Sequence, residues 1–164
     1  MTHRRVELER DRPLLLEAHC EINYVCTSGA DRQQPYKRFR DEWLRTGQPD
    51  EFLSAMVRSL EDSRTLAEVV EDPEGTPVAY LWMSFTDVQG YDLVVAEIND
   101  LWVARDRRQH GLGRHLMEYM VTDAARKGAH RLRSGTGADN GPALRLHEST
   151  GFAPHRVEFE RLLP

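Results

Sequence analysis

The sequence predicts a single mixed α/β domain, and three observations lead to that fold class. The first third of the 164 residues is patterned mainly as helices. A turn signature then joins two strand-like runs, after which strand and helix patterns alternate to the end. A chain of this length ordinarily builds one core, and no repeat or linker interrupts it. Residues 1–164 are therefore predicted to form one domain.

The first third contains the predicted helices. A weak apolar alternation over residues 2–10 indicates a short strand before them. Apolar residues at helical spacing predict helices over 14–25, 36–46 and 49–60. The stretch 28–35 has the composition of a loop.

The rest of the chain alternates between strands and helices. Asp72-Pro73-Glu74-Gly75 is a turn signature, so the strands predicted over 65–71 and 78–85 are expected to form a hairpin. The elements predicted after it are a strand over 94–103, a helix from Leu112 that ends at Gly128, a strand over 130–136, a helix that Asp139 or Asn140 caps and that runs to about Ser149, and one or two strands over 152–163.

Composition narrows the class of protein. A formal net charge of −5 argues against a general nucleic-acid binder. No apolar run approaches the roughly 20 residues of a membrane helix, and the charged first ten residues lack the apolar part of a signal peptide. We therefore expect a cytoplasmic protein without nucleic-acid or membrane partners. Cys20 and Cys26 would face different sides of a helix, so both are expected to be reduced and partly buried.

The segment after the strand predicted over 94–103 has the chemistry of an anion site. Two glycines flank Leu112 at the helix start, where free backbone N–H groups and the helix dipole attract negative charge. Glycine also lets the backbone approach a ligand closely. Positive charge comes from Arg105, Arg107, Arg108 and Arg114. A diphosphate is the predicted ligand.

Two common diphosphate loops are excluded, and a third fits. Leu116 stands where the dinucleotide fingerprint needs its third glycine, and the ATP loop is absent. Arg108-Gln109-His110-Gly111-Leu112-Gly113 resembles the [RQ]xxGxG pyrophosphate loop of the GNAT superfamily of N-acetyltransferases. Asn140, followed by residues 143–152, resembles that superfamily's N…AxxLYxxxGF segment and begins 29 residues after Gly111. The resemblance covers roughly residues 65–160.

The resemblance implies a mixed central sheet with a splayed pair of strands, flanking helices, and acetyl-CoA as cosubstrate. The pantetheine arm would lie along the backbone of Leu101, Trp102 and Val103. Asn140 would reach the same arm, unless it is only a helix cap. The residues expected to hold the pyrophosphate are Arg108, Gln109, His110, Gly111, Leu112, Gly113 and Arg114. The implied reaction is transfer of an acetyl group to a primary amine, by direct attack in a ternary complex.

An ammonium group must lose a proton before it can attack, since alkylamines have a pKa of about 10.4. Glu97, 11 residues before Arg108, resembles in strand and spacing the catalytic glutamate of the histone-acetyltransferase branch. Asp100 is the competing carboxylate, and regular strand alternation would put it on the opposite face, beside Ile98. A backbone N–H of Leu101 or Trp102 is expected to polarise the thioester carbonyl.

His147 occupies the position of the family tyrosine that protonates the leaving thiolate. Histidine can also donate a proton, so His147 is the predicted acid, with simple packing as the alternative. The missing tyrosine leaves open a second hypothesis, a non-catalytic acyl-CoA sensor or interaction domain. No metal is expected, because His110 and His115 are five apart and no ligand set joins them. The acceptor is expected to be a small-molecule or peptide amine, and a homodimer is left open.

Overall fold

The computed structural model describes residues 1–26, 34–159 and 161. Its elements, in chain order, are β1 (Thr2–Arg5), α1 (Leu8–Cys26), α2 (Tyr36–Trp43), α3 (Gln48–Ser59), β2 (Leu66–Glu71), β3 (Pro77–Asp87), β4 (Val94–Val103), α4 (Leu112–Arg126), β5 (Arg131–Ser134) and α5 (Gly141–Ser149). They confirm the predicted mixed α/β fold. Most of the predicted loop 28–35 lies outside the described residues.

One mixed sheet carries these elements in the order β1-β2-β3-β4-β5. Neighbours are antiparallel up to β4, whereas β5 runs parallel to β4 and is reached through α4. One apolar cluster lies between the sheet and the first helices, with Leu15, Ala18, Phe52 and Met56 at its centre. A second cluster lies on the other side, with Leu116, Met117 and Met120 of α4. We call these sides the α1–α3 face and the α4–α5 face.

The strands β4 and β5 separate partway along β4. Their pairing runs from Val95 opposite Arg131 to Ile98 opposite Ser134, where β5 ends. β4 continues to Val103 and is paired over that stretch with β3 alone. In the described part of the chain, residues 99–103 therefore have one strand edge without a neighbouring strand. This is the splayed pair that the resemblance implies.

A β-bulge in β4 corrects the predicted orientation of Asp100. Trp82 of β3 pairs with Asp100. The next residue, Met83, already pairs with Ile98, so Asn99 is an extra residue on β4. The bulge reverses the alternation beyond it, and Asp100 bonds to α1 while Ile98 packs on the α4–α5 face. The prediction that Asp100 and Ile98 share a face was therefore wrong.

The helix α1 begins at Leu8, earlier than the predicted residue 14. The buried carboxylate of Asp11 accepts the Glu7 backbone N–H at 2.8 Å and binds Arg4 through both oxygens at 2.7 Å. These bonds hold a helical first turn in place before Pro13. The strand predicted over 2–10 is correspondingly shorter and ends at Arg5.

The chain end and one cysteine also differ from expectation. Residues 152–159 form no strand, so the strands predicted there are wrong for the described residues. The alternating Val157 and Phe159 are 71% and 93% exposed, and without a neighbouring strand alternation alone makes no ladder. Both cysteines are free, but Cys26 is exposed rather than partly buried. Among the described helices, none combines the length and apolarity required to cross a membrane.

Candidate functional site

The loop between β4 and α4 presents a run of unbonded backbone amides. The first intrahelical bond of α4 joins His115 N to Gly111 O at 3.0 Å. Within the described residues, none of the N–H groups of 109–114 donates a hydrogen bond, and no side chain caps the helix. Free N–H groups at a helix N-terminus favour an anion. The predicted pyrophosphate-binding amides therefore stand together in space.

The two glycines of this loop differ in backbone conformation and in surroundings. Gly111 has φ +83°, a left-handed conformation that suits glycine, and Gln109 shares it with φ +65°. Gly113 has no such φ, and a Cβ there would contact Leu146 of α5 at 3.7 Å. That distance is an ordinary van der Waals contact, so the packing of α5 would accept a Cβ at position 113 without displacement. Leu112 is buried in the core, so it offers a ligand its backbone alone.

The four arginines around the loop already have carboxylate partners. The partners are Glu21 for Arg105 and Arg108, Asp72 for Arg107, and Glu118 for Arg114. All four arginine side chains remain at least two-fifths exposed, so they keep access to a ligand in solution. Their positive charge is nevertheless partly offset before any ligand binds.

Glu21 of α1 is a buried carboxylate that the sequence analysis did not identify. It accepts hydrogen bonds from Trp102 Nε1 at 2.7 Å and from Arg105 Nε at 2.8 Å. Burial works against ionisation, but the hydrogen bonds from Trp102 and Arg105 outweigh it and lower the pKa of Glu21 below its ordinary value. The available signal was its spacing, since Glu21 falls on the same helical stripe as the buried Ala18.

Leu101, Trp102 and Val103 lie where β4 has lost its β5 neighbour and keeps β3 alone, as the resemblance implies for the strand that receives pantetheine. Trp102 directs its indole N–H to Glu21, and Val103 accepts the Arg108 Nε–H at 2.8 Å. These bonds fix the end of β4 against both α1 and the loop. The loop amides and the open strand edge are thus consecutive parts of one hydrogen-bonded segment.

The two candidate carboxylates differ sharply in environment. Glu97 is exposed and lies where β4 has a neighbour on each side, opposite Ser84 and Arg133. Asp100 is 1% exposed and lies on the open stretch. Its carboxylate contacts His19 Nδ1 of α1 at 3.0 Å. No local pattern in the sequence pointed to His19, because this contact depends on how α1 packs against β4.

His147 has both ring nitrogens engaged. Nδ1 lies 2.7 Å from the Ala143 carbonyl oxygen and must therefore carry a proton. Nε2 lies 2.8 Å from the hydroxyl of Ser134, the last residue of β5. The ring also meets Phe152 edge-on, with 5.3 Å between centroids. The predicted acid thus packs on its helix and reaches the separating strands through Ser134.

Asn140 is the N-cap of α5, as one of its two predicted roles requires. Its side-chain oxygen accepts the Ala143 N–H at 3.4 Å, and its amide donates to Thr136 at 3.1 Å. The contact with a pantetheine arm stays a prediction. Within the described ranges, no three histidine, cysteine or carboxylate side chains gather as metal ligands.

Comparison with known proteins gives the family. The model of the acetyltransferase (GNAT) family matches residues 21–152. The chain therefore belongs to the GNAT acetyltransferase family. No curated relative matches it.

Solved structures share the fold at low sequence identity. A mutant of the BH1408 protein from Bacillus halodurans has a TM-score of 0.73 and 17% identity over 100% of both chains. A predicted acetyltransferase with acetyl-CoA from Clostridium acetobutylicum has a TM-score of 0.69 and 13% identity, over 98% of this chain and 95% of its own. AAC(6')-Iy, in complex with the bisubstrate analogue CoA-S-monomethyl-acetylneamine, has a TM-score of 0.61 and 18% identity, over 99% and 98%.

Proposed function

We propose that this acetyltransferase moves an acetyl group from acetyl-CoA to a primary amine, by direct attack within a ternary complex. The observation that carries the proposal is the continuity of two binding features. The unbonded amides of 109–114 suit a pyrophosphate, and the open edge of 99–103 suits an arm that bonds like a strand. The acetyl-CoA and CoA-analogue complexes of the two similar folds support this cosubstrate.

The unbonded loop amides and the exposed arginine side chains suit the diphosphate of the cosubstrate. Acetyl-CoA supplies an activated acyl thioester. The open backbone edge of Leu101 and Trp102 offers an N–H to polarise its carbonyl oxygen, as an oxyanion donor does. Glu97 stays a predicted proton acceptor. The bulge at Asn99 turns the competing carboxylate, Asp100, toward His19 of α1.

Proton delivery to the departing sulfur would run through two residues rather than one. The Ser134 hydroxyl, at the end of β5, would donate to the thiolate. His147, when protonated, would replace that proton through Nε2, which lies 2.8 Å from Ser134 Oγ. This pair would stand in for the family tyrosine.

The test measures turnover of acetyl-CoA with a panel of acceptor amines, in the pH range of the cytoplasm. Purified protein would receive acetyl-CoA with an alkyl diamine, an aminoglycoside, free amino acids and a lysine-containing peptide, and free thiol would be followed. Thiol release with one amine class, together with the N-acetylated product by mass spectrometry, is the expected result. Saturable acetyl-CoA binding without thiol release from any class would instead identify a non-catalytic acyl-CoA sensor. Cell fractionation would test the cytoplasmic location.

A further inference from the structure

We propose that His19, oriented by Asp100, takes the proton from the acceptor amine. This inference rests on the proposed function and names its catalytic base. The two residues are 81 positions apart in the sequence and meet because α1 lies across the end of β4. No sequence motif places them together.

The geometry of the pair leaves one ring nitrogen available. His19 Nδ1 lies 3.0 and 3.1 Å from the two oxygens of Asp100, so a proton on Nδ1 is shared with the carboxylate. Among the described residues, Nε2 makes no hydrogen bond. The side chain of Asp100 is fully enclosed, whereas 22% of the His19 side chain is exposed. A ring with this tautomer presents an accepting nitrogen backed by a buried negative charge.

Aromatic neighbours hold the ring in position. Phe52 of α3 stacks on His19 with 4.0 Å between centroids and 15° between planes. Trp43 of α2 lies 6.1 Å away on a tilted plane. Burial, and then the negative charge of Asp100, raises the pKa of Tyr80 well above its ordinary value, so the neighbouring phenol stays protonated. A carboxylate enclosed among such rings is costly unless a partner offsets it, and His19 is that partner.

The position of the pair fits the reaction better than that of Glu97. Asp100 directly precedes Leu101, so the pair is anchored where the open edge of β4 begins. At about 3.3 Å per residue, the whole of Leu101–Val103 lies within about 10 Å along the strand. Glu97 lies in the fully paired part of β4 and has no partner that orients it within the described residues. The bulge at Asn99 thus places the His19–Asp100 pair at the open stretch of β4, whereas Glu97 lies before that stretch.

The step balances with the groups already named. His19 Nε2 takes one proton from the ammonium group and later releases it to solvent. The neutral nitrogen forms a bond to the thioester carbon, and the carbon–sulfur bond breaks. The second proton that the nitrogen loses ends on the CoA sulfur, so N-acetylamine, CoA and one proton are produced from ammonium and acetyl-CoA.

The experiment compares His19→Gln with a matched histidine elsewhere. His3 forms the same kind of pair, with Nδ1 2.8 Å from Glu68, on strands β1 and β2 away from the open edge. His19→Gln should lower kcat for the best alkylamine of the panel by about 10²-fold or more, with an unchanged dissociation constant for acetyl-CoA. Asp100→Asn should also lower kcat, and His3→Gln should change neither quantity. Thermal unfolding of each variant checks that it is folded.

A second acceptor distinguishes a catalytic role of His19 as a base from a purely structural role. Methoxyamine has a nitrogen that is already neutral at the assay pH, so its acetylation needs no prior proton removal. His19→Gln should lower the rate of methoxyamine acetylation much less than the rate of alkylamine acetylation. Equal slowing of both acceptors, or an alkylamine rate within about threefold of wild type, overturns the proposal. If no amine releases thiol from the wild-type protein, the proposed function itself fails.

Discussion

Asp100 and Ser134 lie on opposite faces of the sheet at the point where β4 and β5 separate. Asp100 bonds to His19 of α1, and Ser134 bonds to His147 of α5. Ser134 is paired with Ile98, two residues before Asp100 on β4. The group proposed to accept a proton and the group proposed to supply one therefore approach the open edge from different sides.

Coenzyme A and acetyl-CoA should stabilise the folded protein, whereas NAD and ATP should not. A ligand at 100 times its Kd adds about 2.7 kcal/mol to the free energy of unfolding. For a domain of this size, at about 2–4 °C per kcal/mol, that raises Tm by roughly 5–11 °C. Thermal unfolding with each ligand at equal concentration measures the effect. Equal shifts with NAD and acetyl-CoA would show that the loop does not select its ligand as proposed.

Gly111→Ala should weaken acetyl-CoA binding and leave the protein folded. The added Cβ meets nothing within 4 Å, so its effect comes from φ +83°, at a cost of about 1–2 kcal/mol. Relief of that strain would turn the amides away from the pyrophosphate, and losing one bond to a charged group raises Kd by about tenfold. Titration calorimetry gives the Kd.

Gly75→Ala is the matched control for that variant. Gly75 has φ +79° and equally open surroundings, but it lies in the turn between β2 and β3. It should lose similar stability and bind acetyl-CoA as wild type does. If both variants bind alike, the conformation of Gly111 does not matter for the ligand.

Glu21→Gln should destabilise the protein at neutral pH by about 2 kcal/mol, since it weakens charge-assisted bonds to Trp102 and Arg105. The pKa of Glu21 is lower in the folded protein than in the unfolded chain. Its contribution is therefore present above the ordinary glutamate pKa of about 4.3 and is lost as pH falls through the lower, folded value. The difference in free energy of unfolding between Glu21→Gln and wild type should therefore shrink as the pH is lowered. Urea unfolding from pH 7 to pH 3 measures it, with the exposed Glu118→Gln as a nearly neutral control.

Ser134→Ala and His147→Phe should lower kcat by the same factor, and the double variant should lose no more than either single one. Residues that act in series behave in this way. The factor should stay below about tenfold, because a thiolate leaves readily even without an acid. Steady-state kinetics of the three variants measures it. If the losses in transition-state stabilisation add in the double variant, the two residues act independently. Full activity in His147→Phe would show that the histidine has only a packing role.

Local signals allowed much of the fold to be predicted. The limits of β4, the apolar face of α4 and the Asn140 cap follow from residues close in sequence, and all three are confirmed. The bulge at Asn99 was not predictable, because it depends on the register with β3. His19 was missed for a related reason, since its role arises only when α1 crosses β4.

The open edge of β4 also affects how the protein behaves without ligand. Backbone groups of residues 99–103 on that side have no strand partner in the described structure. An uncovered strand edge is a template on which another chain can add, and this is a common start of aggregation. A pantetheine arm lying along the edge would occupy the same donors and acceptors. The cosubstrate would then act as a solubility factor, and preparations depleted of coenzyme A should self-associate sooner than saturated ones.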